Sequence, residues 1–261
     1  MSFAPVIPSS GLTGWRFLQA TYDRQIEEFR KSPLQTREIE YFRNTIHSVS
    51  TAKELVADRR LMGVALGAFG LQDDINSRAF IRSILESDPD DRMSLVNRIS
   101  DPRYKDLADA FAFRSPFGPN TSNSGFAASI TSRYETLGFE IAVGQVSQDI
   151  RLALSAQREL SELAKENGSE NTKWYKAMGR PPVRAFLETA LGLPEGFGKI
   201  DLDQQLSSLK AKSKGYFGIT SFKDFSDDHV MDKVVQRFQL LTQINNNSHM
   251  SSASIALQLL Q

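Results

Sequence analysis

The residue types that most often carry chemistry are few here and poorly spaced for it. His47, His229 and His249 are the only histidines. They lie far apart, and none has a second ligand at the i, i+4 spacing that lets two side chains share a metal from one helix face. Asp88, Asp90 and Asp91 form an acidic group, but Pro89 and Arg92 interrupt it. A calcium loop needs oxygen ligands at alternate positions, a central glycine and a closing glutamate, so these aspartates read as solvated helix caps, and Asp73-Asp74 read the same way. Gly196 and Gly198 lack the preceding strand and the Lys-Ser/Thr of a phosphate loop. No Gly-x-Ser-x-Gly elbow is present, and Ser122-Asn123-Ser124-Gly125 falls in a stretch too turn-rich to preorganise a nucleophile. The absence of cysteine rules out disulfides, thiol catalysis and thiolate metal sites.

Arginine is the one polar type that partly recurs, at Arg59-Arg60 and again at Arg180 and Arg184. Such groups could contact an anion or an acidic partner. The simpler expectation is that each guanidinium pairs with a nearby carboxylate, such as Asp58 or Glu188, or caps helix carbonyls. An enzyme would need converging titratable groups, and Arg60, Asp101, Arg184 and Asp228 are the set that could converge between two halves of the chain. No catalytic, cofactor-binding or metal-binding residue is therefore assigned, and the leading expectation is a non-enzymatic protein.

The elements that would position any site are helices. At 261 residues, 40% hydrophobic and 24% charged, the chain can bury one large core or two modest ones. Its 31 basic and 31 acidic residues cancel, which argues against nucleic acid or an anionic membrane as the main partner. No apolar run approaches the roughly 18 residues of a membrane span. The start, Met1-Ser2-Phe3-Ala4-Pro5-Val6-Ile7-Pro8, lacks the basic and apolar regions of a secretory signal peptide. These features predict a soluble, unsecreted protein.

Trp15, Leu18, Tyr22, Ile26 and Phe29 mark a buried stripe at steps of three and four. Ser32-Pro33-Leu34-Gln35 and Thr51-Ala52-Lys53-Glu54 both read as capping boxes. Arg60 to Phe69 predicts a buried helix with Gly63 and Gly67 on a smooth face, stopped by Gly70. Further helices are expected over 75–85, 93–99, 102–113, 126–143 and 148–166, around Trp174, from Pro181-Pro182, from Asp201 or Asp203, and from Asp227 to about Ile244. Strand signals are weak, so the fold class is all-α.

Two helical halves are expected, 11–113 and 126–244, joined by a turn-rich linker at 114–125. A polar break at Asn245-Asn246-Asn247-Ser248-His249 opens a tail, 245–261. The halves read as a pseudo-repeat. Gly70-Leu71 matches Gly192-Leu193, and Asp101 with Phe111 matches Asp228 with Phe238.

Several of these stretches together resemble a bacterial family, domain of unknown function 1217, found mainly in alphaproteobacteria. They are Gly14-Trp15-Arg16-Phe17-Leu18, residues 55–71, Phe139-Glu140-Ile141-Ala142-Val143-Gly144, Arg151-Leu152-Ala153-Leu154, Ala190-Leu191-Gly192-Leu193-Pro194 and Asp201-Leu202-Asp203-Gln204-Gln205. The resemblance covers roughly residues 11 to 241 and brings no activity, cofactor or catalytic residue. Members are often associated with flagellar genes, so it implies a motility-linked role and a location in the cytoplasm or at the flagellum.

The expected function is a structural or protein-interaction role, with a flagellar component as partner. Trp174, Tyr175 and Tyr216 are expected to supply surface aromatics, and Ile255, Leu257, Leu259 and Leu260 a tail that docks as a helix. The alternatives are the enzyme described above and a substrate of the flagellar export apparatus.

Overall fold

A computed structural model describes residues 3–88 and 90–259, with side chains described through residue 245. Among the described residues the chain forms thirteen α-helices, short 3-10 turns and no strand, so the all-α expectation holds. The chain divides into two compact units. Unit 1 holds residues 3–5 and 22–142, and unit 2 holds residues 6–21 and 143–259. The chain passes between them three times, once between residues 5 and 6 and twice inside continuous helices, α1 (Gly11–Arg30) and α8 (Phe126–Val146).

That division corrects the expected one. Residues 114–125 lie within unit 1 and are tied to it. Thr121 is buried and its hydroxyl donates to Val49 O at 2.6 Å, while Asn120 Nδ2 donates to Ala110 O at 2.9 Å. The Gly, Pro, Ser and Asn that made this stretch look like a linker instead build an anchored loop, because turn residues mark tight chain reversals as often as free connectors.

Unit 1 contains α2 (Pro33–Thr45), α3 (Ala52–Ala57), α4 (Arg59–Gly67), α5 (Arg78–Leu85), α6 (Leu95–Arg98) and α7 (Pro102–Phe111), with parts of α1 and α8. Its main core gathers Phe42, Leu55, Leu61, Leu66, Leu107 and Phe111. The capping box expected at Thr51 is present, with Glu54 N donating to the threonine hydroxyl at 3.2 Å and Thr51 N donating to Glu54 Oε2 at 3.1 Å. The one expected at Ser32 is not, because Ser32 makes no side-chain cap bond and Gln35 is buried. Burial takes the glutamine out of reach of the backbone amide it was expected to accept from. Of the two glycines on α4, only Gly67 meets a close neighbour, since a Cβ there would sit 2.6 Å from the Tyr134 ring of α8.

Unit 2 contains α9 (Gln148–Lys165), α10 (Glu170–Met178), α11 (Pro181–Ala190), α12 (Leu202–Phe217) and α13 (Asp228–Leu259). Within its core, Phe186 of α11 lies 4.8 Å from Phe238 of α13, centroid to centroid, and Trp174 of α10 makes edge contacts with Phe222 and Phe225. No break occurs at Asn245-His249, because α13 runs unbroken from Asp228 to Leu259, about 48 Å of helix at 1.5 Å per residue. Asparagine, serine and histidine are weak helix formers, but none disrupts the way glycine or proline does. A helix already nucleated propagates through them.

The two glycine-leucine stops have the same local geometry. Gly70 and Gly192 both take left-handed φ, at 69° and 58°. Leu71 N donates to Leu66 O and Gly70 N to Gly67 O, while Leu193 N donates to Glu188 O and Gly192 N to Thr189 O. Each is a Schellman motif. The second pair of anchors is out of register. Asp101 caps α7, whereas Asp227 and not Asp228 caps α13. The buried Phe111 and Phe238 consequently stand at different distances from their caps.

Candidate interaction surface

The expected polar residues serve the fold locally. Arg60 Nε donates to Glu38 at 3.0 Å and Nη2 to Arg37 O at 3.1 Å, with its guanidinium 3.8 Å from the Tyr41 ring centroid. Arg59 donates to Asn76. Arg180 pairs with Glu159 at 3.4 Å, and Arg184 binds both Glu188 at 2.8 Å and Gln205 Oε1 at 2.7 Å. Asp101 accepts from Arg103 N and pairs with the Arg103 guanidinium, and Asp228 is exposed in the first turn of α13. Pairing and capping, rather than an anion contact, thus account for the arginines.

The remaining acidic and histidine groups behave similarly. Asp88 accepts from Asp90 N, Asp91 from Met93 N, and Asp74 from the Tyr104 hydroxyl at 2.7 Å. His47 Nδ1 lies 3.1 Å from Thr121 O, His229 is exposed, and the His249 side chain lies outside the described residues. Among the described residues no three His, Cys, Asp or Glu come together as a metal set.

The aromatics part company. Trp174 is 2% exposed and cannot be a surface anchor, because its indole fills the core between Phe222 and Phe225. Tyr175 is half-buried, and its hydroxyl donates to Asp203 at 2.6 Å. That acceptor raises the phenol pKa, with burial and the charges of Asp203 and Asp201 adding to it. Tyr216 does reach the surface, at 50% exposure. The side chains of Ile255, Leu257 and Leu259, and Leu260 altogether, lie outside the described residues.

Tyr216 is held in place by Arg237. The guanidinium of Arg237 lies 3.9 Å from the Tyr216 ring centroid and donates through Nε to Ala190 O at 2.9 Å, at the end of α11. A planar guanidinium can stack and donate at once, and it favours the negative end of a helix. Lys212 adds a second cation there, donating to Leu191 O and Gly192 O. The phenol ring is therefore fixed from below and open above.

From Arg237 the same face of α13 continues to Leu240 and Ile244, at steps of three and four. Both are exposed, Leu240 at 47% and Ile244 at 57%. No Asp, Glu, Lys or Arg follows Arg237 in the sequence, so the rest of α13 is uncharged. Unit 2 thus presents a ring stacked on Arg237 and, one and two turns farther along α13, two exposed aliphatic side chains.

Sequence reasoning named Tyr216 but missed Arg237, Leu240 and Ile244. The signal was available, since the charge-free end of the chain and the 237, 240, 244 spacing are both plain in the sequence. The expected break at Asn245 hid it. Sequence reasoning also missed Phe117 in unit 1, 99% exposed. It sits in a turn closed by Gly118 N donating to Ser115 O at 3.1 Å, and its own amide donates to the Ser115 hydroxyl.

The described helices include none long and apolar enough to cross a membrane. No curated protein matches the chain. The X-ray crystal structure of a protein from Agrobacterium tumefaciens is similar to it, with a TM-score of 0.73 and 25% sequence identity, over 93% of this chain and 99% of that one. Residues 68–231, more than half of the sequence, match the family described as protein of unknown function DUF1217. On that match the chain belongs to the DUF1217 family.

Proposed function

We propose that this chain is a non-enzymatic protein-interaction protein that serves the assembly or structure of the bacterial flagellum, in the cytoplasm or at the flagellum itself. The observation that carries the interaction reading is the face built from Tyr216, Arg237, Leu240 and Ile244. Interfaces favour tyrosine and arginine anchors that are already ordered before binding, because little conformational freedom is then lost on docking. Exposed aliphatics beside a rigid ring are costly to leave in water and useful against a complementary surface.

The polar groups support the same reading. Arg60, Asp101 and Arg184, the best candidates for a reactive set, already commit their hydrogen bonds to caps and ion pairs. The flagellar part rests on the family resemblance alone.

The test is swimming. A strain lacking the gene should swim poorly, and wild-type protein should restore motility. A Tyr216→Ala, Leu240→Asp double variant should fold and accumulate normally yet fail to restore it. Normal swimming in the deletion strain would remove the flagellar role. Full rescue by the variant would remove this face from the interaction. Recovery of the protein from sheared filaments would identify it as an export substrate rather than a cytoplasmic factor.

A further inference from the structure

The turn from α9 to α10 rests on two residues, Asn167 and Gly168, and both of its ends are fixed. Glu166 N ends α9 by donating to Leu163 O at 3.2 Å, and the Ser169 hydroxyl caps α10 by accepting from Thr172 N at 3.2 Å. Across the turn, the buried Lys173 donates through Nζ to Ala164 O at 2.9 Å, and Lys176 pairs with Glu166. Asn167 and Gly168 themselves are exposed, and Gly168 takes φ 146°, which a residue with a Cβ rarely adopts.

Asn167 is the one asparagine of the chain that glycine follows. An asparagine amide carbon is a weak electrophile, and the backbone nitrogen of the next residue can reach it by closing a five-membered ring. A Cβ on that next residue crowds the approach, and a hydrogen bond to its N–H holds the nitrogen away. Neither obstacle applies here. Gly168 has no Cβ, and among the described residues neither Gly168 N nor the Asn167 side chain makes a hydrogen bond. Other asparagines are held. Asn76 accepts from Arg59, and the amide after it, Ser77 N, donates to Asp74 O at 2.8 Å. Asn120 Nδ2 donates to Ala110 O and Asn123 Nδ2 to Asn120 Oδ1, while Asn44, Asn97 and Asn171 lie within helices.

We propose that Asn167 modifies itself, passing through a succinimide to a mixture of aspartate and isoaspartate. Gly168 N attacks Asn167 Cγ and gives its proton to solvent base; the Cγ–Nδ2 bond breaks, and Nδ2 leaves as ammonia. Water then adds to either carbonyl of the ring. Opening at the Cγ–N bond gives aspartate, and opening at the other bond gives isoaspartate, whose main chain runs through Cγ. Each product replaces a neutral amide by a carboxylate, so the formal net charge falls from zero by one. Isoaspartate also adds a methylene to the main chain between ends that Lys173 and Lys176 hold in place. The site stands apart from the Tyr216 face, and neither test bears on the other.

The full chain is kept in mildly alkaline buffer and mapped over time by peptide mass spectrometry, beside a synthetic peptide of residues 163–173. Asn167 in the folded chain should convert at a rate close to that of the peptide, with ammonia released in equal amount and both products present. Asn76, Asn120 and Asn123 should convert many-fold more slowly. Hydroxylamine, which cleaves a succinimide, should cut the chain between residues 167 and 168. Asn167→Gln, which could close only a six-membered ring, should stay intact, with circular dichroism confirming its fold. Chains carrying isoaspartate should unfold at lower urea than Asn167→Asp, which gains the charge without the methylene. Asn167 left intact in the folded chain, aspartate without isoaspartate, or equal conversion at Asn76 would each overturn the proposal. Equal unfolding of the isoaspartate chains and Asn167→Asp would overturn the claim that the added methylene loosens the turn.

Discussion

At the residue scale, Arg237 holds two structures together. It donates to the last turn of α11 and underlies the ring of Tyr216. Arg237→Ala should cost about 1–2 kcal/mol in urea denaturation, because it removes a charge-assisted bond and a cation–π interaction together. Arg237→Lys should recover little, because an ammonium cannot stack as a plane while donating sideways. A lysine variant as stable as wild type would show that charge alone suffices.

Asp58 gives a prediction in pH. Burial would raise its pKa, but the Tyr41 hydroxyl, the amides of Leu61 and Arg60 and the Arg60 charge outweigh burial and hold the carboxyl below its usual range. A carboxyl depressed in the folded state stabilises the protein above its unfolded pKa, and that contribution is lost as pH falls through the folded one. Asp58→Ala should therefore lose about 1 kcal/mol at neutral pH, the cost of an N-cap, and show a shallower loss of stability in acid. Equal acid sensitivity in the two proteins would contradict this. Tyr104 moves the opposite way. Burial first, and then its bond to Asp74, push its pKa up to about 12. Subtracting the ultraviolet titration of Tyr104→Phe from that of wild type should leave one phenol ionising near that pH.

At the scale of elements, what can be read from the sequence is what is local. Thr51 with Glu54, Asp101 before Pro102, and the Gly70 and Gly192 stops are each decided by a few neighbouring residues, and each appears as expected. Trp174 reads as a surface anchor only because burial of an aromatic depends here on Phe222 and Phe225, nearly fifty residues later. The box expected at Ser32 is incomplete on both sides, since Ser32 makes no side-chain cap bond and Gln35 is drawn into the interior. Asn245 to His249 read as a break only if weak helix propensity is allowed to outweigh the absence of glycine or proline. The continuity of α13 is open to a direct check. Asn247→Pro should lower the helical circular dichroism signal without shifting the main unfolding transition, because proline removes a backbone donor and clashes with the preceding turn. An unchanged spectrum would mean that the helix already ends there.

At the scale of the molecule, the sequence was expected to divide into two helical halves joined by a linker at residues 114–125. The units instead exchange chain within α1 and α8, so the N-terminal stretch 6–21 belongs with the second body. No local signal marks that exchange, since α1 is one uninterrupted amphipathic stripe from Trp15 to Phe29. Its two ends are claimed by different cores. Beyond Tyr216, the 237, 240, 244 spacing of the candidate surface can be read in the sequence, but the exposure of Leu240 and Ile244 cannot, because it is decided by which helices pack against α13.

The most direct measurement of the central claim is photo-crosslinking from position 240 in motile cells that carry the gene, with a benzophenone amino acid in place of Leu240. If unit 2 serves as a partner-binding face, one flagellar protein should be captured from position 240, and the Tyr216→Ala change should reduce its yield several-fold. A crosslinker at exposed Asp228 of the same helix should capture little of it. Equal capture from both positions, or no flagellar protein from either, would contradict the account.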